Sequence, residues 1–360
     1  MLPVRQHAPG LLPRRGLPLL RIPILALGVI LKFFMPIDLM ELAQTSKRMA
    51  NRVKFGGNNF KLSLTATTTY SALVVSNGTM SDIIHILREN ITGPSRTYAS
   101  YEVTVDFAFH AGRKIAFKIY WDSDVQEGLY VMAKYLCGLF DCSFNALIWR
   151  SSNLRLMQRI TDLIIARQTE LGVKEIEQFE VHGNTLDEEA VQGILDKLRV
   201  TETLKIELTT PASRAQFQHT FDYAPKLVVL RHCPLLTFEN LVKLDIQRVH
   251  LKTSDFTNYQ IDVIVKKWKA GGFPNLKCIE VTSNLYSQQV PVAGLLPRIE
   301  NQEPQGLLQF KTIGNSPFNK YDGQIIYKND GASGRIFMGT GHNATFFLYV
   351  DGDDVDSDSD

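Results

Sequence analysis

This chain has few cysteines, a small net charge and no long apolar run. Four cysteines in 360 residues, none in a CxxC pair, argue against a disulfide scaffold or a zinc site. The 39 basic and 37 acidic residues leave a net charge of +2, and no Lys/Arg-dense helix or RNP-like aromatic strand indicates nucleic acid. Lys32 interrupts the N-terminal apolar run well short of the ~20 residues that a spanning helix needs. We therefore expect buried reduced thiols, no nucleic-acid partner and no membrane insertion.

Signatures of catalysis are also missing. The sequence contains no GxSxG, HExxH, GxxxxGK[ST] or GxGxxG motif, and its eight histidines form no i,i+4 pair. The acids Asp187, Glu188 and Glu189 open a helical pattern, where negative charge suits the helix dipole without an acid–base role. A hydrophobic fraction of 44% is ordinary for a globular protein, and the length suggests two or three units. The sequence thus predicts no enzymatic activity, no cofactor and no metal site.

Residues 17–56 are the most informative stretch that is present. A first helical stripe is followed by a capping-box signal at Asp38 and Glu41 and then by a second stripe. A segment of about 40 residues is too small to build a sufficient core alone, so it must dock on the rest of the chain or on a partner. The first stripe is Ile24, Leu27, Leu31 and Phe34, widened by Ile30 and Phe33; the second is Leu39, Leu42, Ala43, Ser46, Met49 and Val53.

This stretch resembles an F-box, and its opening is similar to that of F-box proteins in a family greatly expanded in nematodes. The matching phrases are Pro18 to Pro23, Ala26-Leu27, Ile30-Leu31, Asp38-Leu39, Leu42-Ala43 and Ser46-Lys47-Arg48. The resemblance implies a small all-helical domain that binds the Skp-type adaptor of an SCF (Skp–cullin–F-box) ubiquitin ligase. The adaptor-binding residues it implies are Ile22, Pro23, Leu27, Ile30, Leu31, Phe34, Leu39 and Leu42.

A targeting segment is the alternative interpretation of the same residues. Arg14, Arg15 and Arg21 precede the apolar run, as a basic region precedes the apolar part of a signal peptide. Against this, Pro23 lies inside the run, the residues after it are bulky, and an amphipathic helical pattern continues over 38–53.

Residues 57–172 predict strands followed by helices. The β-branched stretch at 60–75 is typical of strands, and residues 79–90 predict a short helix. Alternation over 101–110 and 114–121 predicts a hairpin. A helix is expected from Asp124, and another over 152–170 that stops at Gly172.

From residue 173 to 350 the pattern alternates between strand and helix. Strand-like runs begin at residues 176, 204, 227, 244 and 276, and helical patterns cover 186–199, 214–221 and 258–270. The spacings of 28, 23, 17 and 32 residues are near leucine-rich-repeat lengths of roughly 20–29. The fold class we predict is therefore α/β, with the small helical F-box followed by a leucine-rich-repeat-like, mostly parallel strand–helix arc. A compact doubly wound domain is the alternative, although no Gly-rich phosphate loop follows a strand.

The phrase Lys267-Trp268-Lys269-Ala270-Gly271, followed by Pro274-Asn275-Leu276, resembles the F-box-associated type 2 (Sdz-33-type) domain of the same families. Val265 departs mildly from the residue usual before the paired lysines. The resemblance places that domain at about 213–282. We expect Trp268 to be a structural core residue and Gly271-Gly272 to end a helix.

The two ends of the chain differ from the body. Residues 1–16 are rich in proline and arginine and are expected to be disordered. Residues 351–360 hold six aspartates, so residues 1–350 carry a charge near +8. A tail with so much like charge and so little to bury is expected to be disordered and dispensable for folding.

Together the two resemblances imply a substrate-recognition adaptor of an SCF ubiquitin ligase. The F-box would bind the Skp-type adaptor and through it a cullin, and the C-terminal region would bind an unknown protein substrate. The expected location is cytoplasmic or nuclear. The alternative is a non-catalytic protein-interaction scaffold that is not coupled to ubiquitination; an enzyme of unrecognised type ranks third.

Overall fold

The computed structural model of the chain describes residues 19–54, 59–88, 93–98, 101–110, 113–122, 124–183, 188–209, 221–287, 289–295, 324–339 and 344–350. Within these ranges the chain is an α/β protein with eight α-helices and one mixed sheet of 15 strands. The ends expected to be disordered, 1–16 and 351–360, lie outside the described residues, as does the expected helix at 214–221 apart from its last residue.

A short 3₁₀ turn and three helices begin the described chain. They are η1 (Leu19–Arg21), α1 (Ile24–Leu31), α2 (Pro36–Gln44) and α3 (Lys47–Lys54). Proline at the first position of α2 suits a helix start, because its φ is fixed and it has no N–H that would need a partner.

The start of α2 differs from the sequence prediction. Met35 is the N-cap, so Asp38 lies in the first turn rather than at the cap. The single helix expected over 38–53 is two helices, because α2 ends at Gln44 with Thr45 as its C-cap. The Ser46 hydroxyl then accepts a hydrogen bond from the Met49 amide over 3.1 Å and begins α3.

Six strands follow in two groups of three. The third and the sixth of these strands pair with each other and so join the two groups. The hairpin predicted from alternation is confirmed as β5 and β6. The helix predicted at 79–90 is wrong: this segment is β3, in which Asp82, Ile84 and Ile86 alternate as buried residues. Burial of every second residue is typical of a strand, and the segment forms a strand despite the apparent helix cap. The strands are β1 (Lys61–Thr67), β2 (Tyr70–Ser76), β3 (Ser81–Leu87), β4 (Ser95–Tyr98), β5 (Tyr101–His110) and β6 (Arg113–Tyr120).

The middle of the sheet is parallel. β1 pairs with β7, and β7 to β12 then pair in chain order, all in the same direction. The strands are β7 (Ser143–Arg150), β8 (Glu175–Gly183), β9 (Arg199–Leu208), β10 (Leu227–Arg231), β11 (Arg248–Ser254) and β12 (Cys278–Ser283); the helices are α4 (Val125–Phe140), α5 (Leu154–Glu170), α6 (Glu188–Lys197), α7 (Phe238–Leu241) and α8 (Asn258–Lys269).

Three antiparallel strands complete the sheet beside β12. They are β13 (Gln324–Tyr327), β14 (Ser333–Gly339) and β15 (Ala344–Val350). The order across the sheet is β13-β14-β15-β12-β11-β10-β9-β8-β7-β1-β2-β3-β6-β5-β4. Seven pairings of described strands are parallel and seven antiparallel, so "mostly parallel" holds for the middle of the sheet and not for the whole.

Strand starts in the parallel region also differ from the sequence prediction. The sequence pattern predicted no strand at β7, and β11 begins at Arg248 rather than at Leu244. The first residues of β8 to β12 are therefore 24, 28, 21 and 30 residues apart, a more even series than the one predicted.

The two faces of the parallel strands differ in character. Leu147, Phe179 and Leu204 pair across β7, β8 and β9 and are buried on the face that the helices cover. Because side chains alternate along a strand, the residues between them point to the opposite face. That opposite face carries Glu180, Lys205 and other polar side chains, and we call it the open face.

A candidate partner-binding face on the first helix

One side of α1 belongs to the core of the chain. Leu27 and Leu31 are one helical turn apart and are 1% and 0% exposed. Side chains at i and i+4 share a helix face, so this stripe holds α1 against the rest of the molecule.

The other side of α1 leaves large apolar side chains in solvent. Ile24, Leu25, Val29 and Phe33 are 47%, 84%, 59% and 82% exposed. Leu25 and Val29 follow i, i+4 spacing on α1, and Phe33 lies in the turn directly after the helix and extends this exposed apolar group. We call these four residues the α1 outer face. Single exposed apolar residues are normal on a protein surface, but a contiguous group marks an interaction site.

Polar contacts fix the N-terminal helices to the sheet. The buried Asp82 carboxylate on β3 accepts a hydrogen bond over 2.8 Å from the Ile37 amide at the start of α2. A carboxylate at this position also suits the positive end of the helix. Farther along α2, the Gln44 amide donates to the Tyr135 hydroxyl over 2.7 Å.

The hydroxyl of Tyr98 on β4 makes a further contact with α2. It donates to the Glu41 carboxylate over 3.2 Å. Burial and the neighbouring Glu41 charge raise the pKa of Tyr98, so the phenol stays a donor. The helices are therefore held by one side while the α1 outer face points away.

The predicted adaptor-binding residues do not share one surface. Pro23 is exposed, whereas Leu27, Leu31 and Leu39 lie in the chain's own core. These three leucines are unavailable to a partner in this conformation, so replacing Leu27 and Leu31 by aspartate would disrupt the fold rather than a contact. The remaining four are half-buried: Ile22, Ile30, Phe34 and Leu42.

Sequence reasoning missed Leu25 and Val29 and treated Phe33 as an edge of the buried stripe. The signal was available, because α1 is apolar on every side, with no acidic or basic residue in its first or last turn. An all-apolar helix has more than one possible buried face. Which one meets the core depended on where the rest of the chain packs, and α1 packs against α3.

The residues of the type 2 domain phrase lie at the end of α8. Trp268 is 0% exposed, and Gly271 has a φ of +92°, the left-handed conformation that glycine adopts at a helix end. A Cβ on Gly272 would lie 2.6 Å from the Lys267 side chain. Lys267 is half-buried, with its ammonium 4.6 Å from the centre of the Phe273 ring. The structural role of Trp268 remains a prediction.

The other predicted features can be located too. Cys137, Cys142 and Cys278 are buried free thiols, and Cys233 is half-buried. In the described part of the chain, no group of three or more His, Cys, Asp or Glu side chains could hold a metal ion.

Among the described helices, none is both long and apolar enough to cross a membrane.

No family model matches the sequence, and neither a curated protein nor a solved structure matches the chain.

Proposed function

We propose that the chain is the substrate-recognition adaptor of an SCF-type ubiquitin ligase and that residues 17–56 are its F-box. The observation that supports this most is the α1 outer face, where Leu25 and Phe33 are more than four-fifths exposed. Burying such side chains against a helical partner is favourable by about 1.5–3 kcal/mol each. The F-box resemblance makes the Skp-type adaptor the partner of this face.

In this proposal the rest of the chain presents a protein substrate to the ligase. In the same proposal, the parallel strands from 143 to 283, with helices between most of them, would form the leucine-rich-repeat-like arc, and the type 2 domain would cover about 213–282. The chain needs no cofactor and catalyses nothing, because holding a substrate near the conjugating enzyme raises its effective concentration. This function belongs in the cytoplasm or nucleus.

Capture of a purified Skp-type adaptor tests the proposal. The Leu25→Asp/Phe33→Asp variant places two charges where the interface would be dry, and we expect capture to fall by at least about tenfold. The matched control is Tyr259→Asp/Leu285→Asp, whose side chains are 74% and 52% exposed elsewhere on the molecule. Equal capture by both variants, each with an unchanged melting temperature, would show that the α1 outer face is not the adaptor site.

Co-purification from cells separates ligase from scaffold. A ligase adaptor brings down a Skp-type protein and a cullin. A different stable partner, with neither of these, would favour the scaffold without coupling to ubiquitination.

A further inference from the structure

The open face carries a row of charged residues that crosses five neighbouring parallel strands. His182 on β8 pairs with Glu207 on β9, which pairs with Arg231 on β10 and then Lys252 on β11. Trp149 pairs with Val181, so Arg150 lies beside His182 at the next position. We call these five residues the charged row. At about 4.8 Å per strand the row spans roughly 19 Å.

The acid of the charged row is held close to the sheet. Glu207 lies 3.2 Å from Lys205, 3.2 Å from His182 and 3.4 Å from Lys252, and its side chain is 20% exposed. Burial opposes the ionisation of Glu207, but the charges of Lys205 and Lys252 lower its pKa, so the carboxylate stays ionised beside neighbouring positive charge. A partner approaching the face therefore meets little of this negative charge.

The cations of the row extend outward instead. The Arg150 and Lys252 side chains are 51% and 43% exposed, and Arg231 is exposed as well. Arg150 is 3.8 Å from Glu180, a long contact, and Arg231 makes no ion pair with another described residue. Arg231 is thus an outward cation with no ion pair among the described residues, and Arg150 and Lys252 each keep about half of their side chain in solvent beside a largely covered acid. This excess of exposed positive charge is complementary to negative charge.

A pocket lies next to the charged row, beyond the carboxyl-terminal ends of strands β10 and β11. Its volume is about 650 Å³, and it opens between the loops that follow β10 and β11. Lys252 belongs to both the row and the pocket wall. Apolar residues contribute much of the lining, among them Leu236, Phe238 and Phe256, and the half-buried Cys233 is also a lining residue.

Backbone strain lies in the same wall. His232 and Thr253 have φ values of +53° and +59°, and they contact each other through a 3.1 Å hydrogen bond from the His232 amide to the Thr253 hydroxyl. A β-branched residue at positive φ is a genuine outlier, and such strain concentrates at functional sites.

We propose that the charged row and the adjoining pocket form one binding surface for an extended acidic segment of a partner protein, with a large apolar side chain of that segment entering the pocket. This deepens the adaptor function proposed above by naming the chemistry of the substrate. The surface itself is independent of whether α1 binds a Skp-type adaptor.

Fluorescence anisotropy with a labelled peptide tests the charged row. The probe is a short poly-aspartate peptide with one central leucine, and the control peptide has lysine for each aspartate. The Arg231→Gln/Lys252→Gln variant should weaken probe binding by about tenfold or more, because close charge pairs across an interface contribute strongly to binding. The matched control, Lys134→Gln/Arg155→Gln, removes one lysine and one arginine that are exposed on α4 and α5, and should bind like the unmodified chain.

The thiol of Cys233 reports on the pocket. The other three cysteines are buried, so a maleimide should modify Cys233 first. The leucine-containing probe should slow this modification, whereas a probe with alanine in place of leucine should not. A Cys233→Ser variant identifies the modified residue.

The outcomes separate this surface from the adaptor site. Probe binding that survives Leu25→Asp/Phe33→Asp but not Arg231→Gln/Lys252→Gln supports the proposal, whatever the result of adaptor capture. Equal loss in both cation variants, equal affinity for the lysine peptide, or no binding at all would overturn it. If the probe binds only after truncation at Val350, the acidic residues 351–360 of this chain occupy the surface, and a partner segment is not its ligand.

Discussion

Trp268 shows how a single side chain organises its surroundings. Its ring is fully buried at the end of α8, and the Lys328 ammonium lies 5.3 Å from the ring centre. A Cβ on Gly334 of β14 would come within 2.8 Å of the ring, so glycine there lets the strand approach the indole. The indole therefore joins α8 to the C-terminal strands of the sheet.

We predict that Trp268→Ala destabilises the chain by about 3–5 kcal/mol, since truncating a buried Trp removes apolar burial and leaves a cavity. That is a large share of a typical total stability of about 5–15 kcal/mol. Urea unfolding followed by circular dichroism measures it. Phe33→Ala, which truncates an aromatic residue that is 82% exposed, serves as the control and should change stability little. A melting temperature that stays unchanged in Trp268→Ala would contradict the buried structural role.

Glu180, on the open face, makes the stability of the fold depend on pH. Burial opposes its ionisation, but hydrogen bonds with His182 at 3.0 Å and Gln178 at 2.7 Å, together with the charge of Lys205, lower its pKa. A carboxyl whose pKa is lower in the folded state stabilises the fold above its unfolded pKa. That stabilisation is lost as the pH falls through the folded value.

We therefore predict that the free energy of unfolding decreases as the pH falls below about 4.5, the ordinary glutamate value from which this pKa is lowered. The Glu180→Gln variant should show a shallower decrease over the same range, because it has one titrating carboxyl fewer. Glu189→Gln, at an exposed position, should keep the slope of the unmodified chain. Urea unfolding at a series of acidic pH values measures the slopes, and identical slopes in all three chains would contradict the prediction.

At the scale of elements, β3 and α2 depend on each other. The Asp82 side chain on β3 is 3% exposed and accepts the Ile37 amide at the first turn of α2. The first amides of a helix have no partner within the helix, so an acceptor from elsewhere satisfies one of them. This contact couples the N-terminal helices to the sheet.

We predict that Asp82→Ala costs about 1–3 kcal/mol, the penalty for leaving a buried donor without its acceptor. The loss should appear first as faster proteolysis within residues 19–54, because α2 loses its attachment. Asp82→Asn keeps an acceptor oxygen and should be milder. Equal cleavage rates in Asp82→Ala and the unmodified chain would show that apolar packing alone holds the helices.

At the scale of the whole molecule, one sheet carries two separate candidate surfaces. The α1 outer face belongs to the N-terminal helices, of which α2 packs against β3, whereas the charged row spans β7 to β11. The sheet order places β1 and β2 between these two groups of strands. A chain with two separated surfaces suits an adaptor that holds two proteins at once.

The sequence by itself determined those elements whose signals are local. The β5–β6 hairpin follows from alternation, and the ends of α5 and α8 follow from glycines that reach positive φ at Gly172 and Gly271. It also indicated a parallel strand–helix region and an apolar N-terminal helix pair. These features depend on periodicity and turn chemistry within a few residues, so no distant contact was needed to predict them.

Tertiary structure decided the features that depend on distant contacts. Segment 81–87 became a strand because it pairs with β2 and β6, although its apolar residues also suited a helix. Which side of α1 is buried depended on where the rest of the chain packs against an all-apolar helix, so Leu25 and Phe33 became surface and Leu27 became core. The charged row arose from the register of five strands whose residues are up to about a hundred positions apart, since side chains far apart in sequence meet across a sheet only when the strands pair.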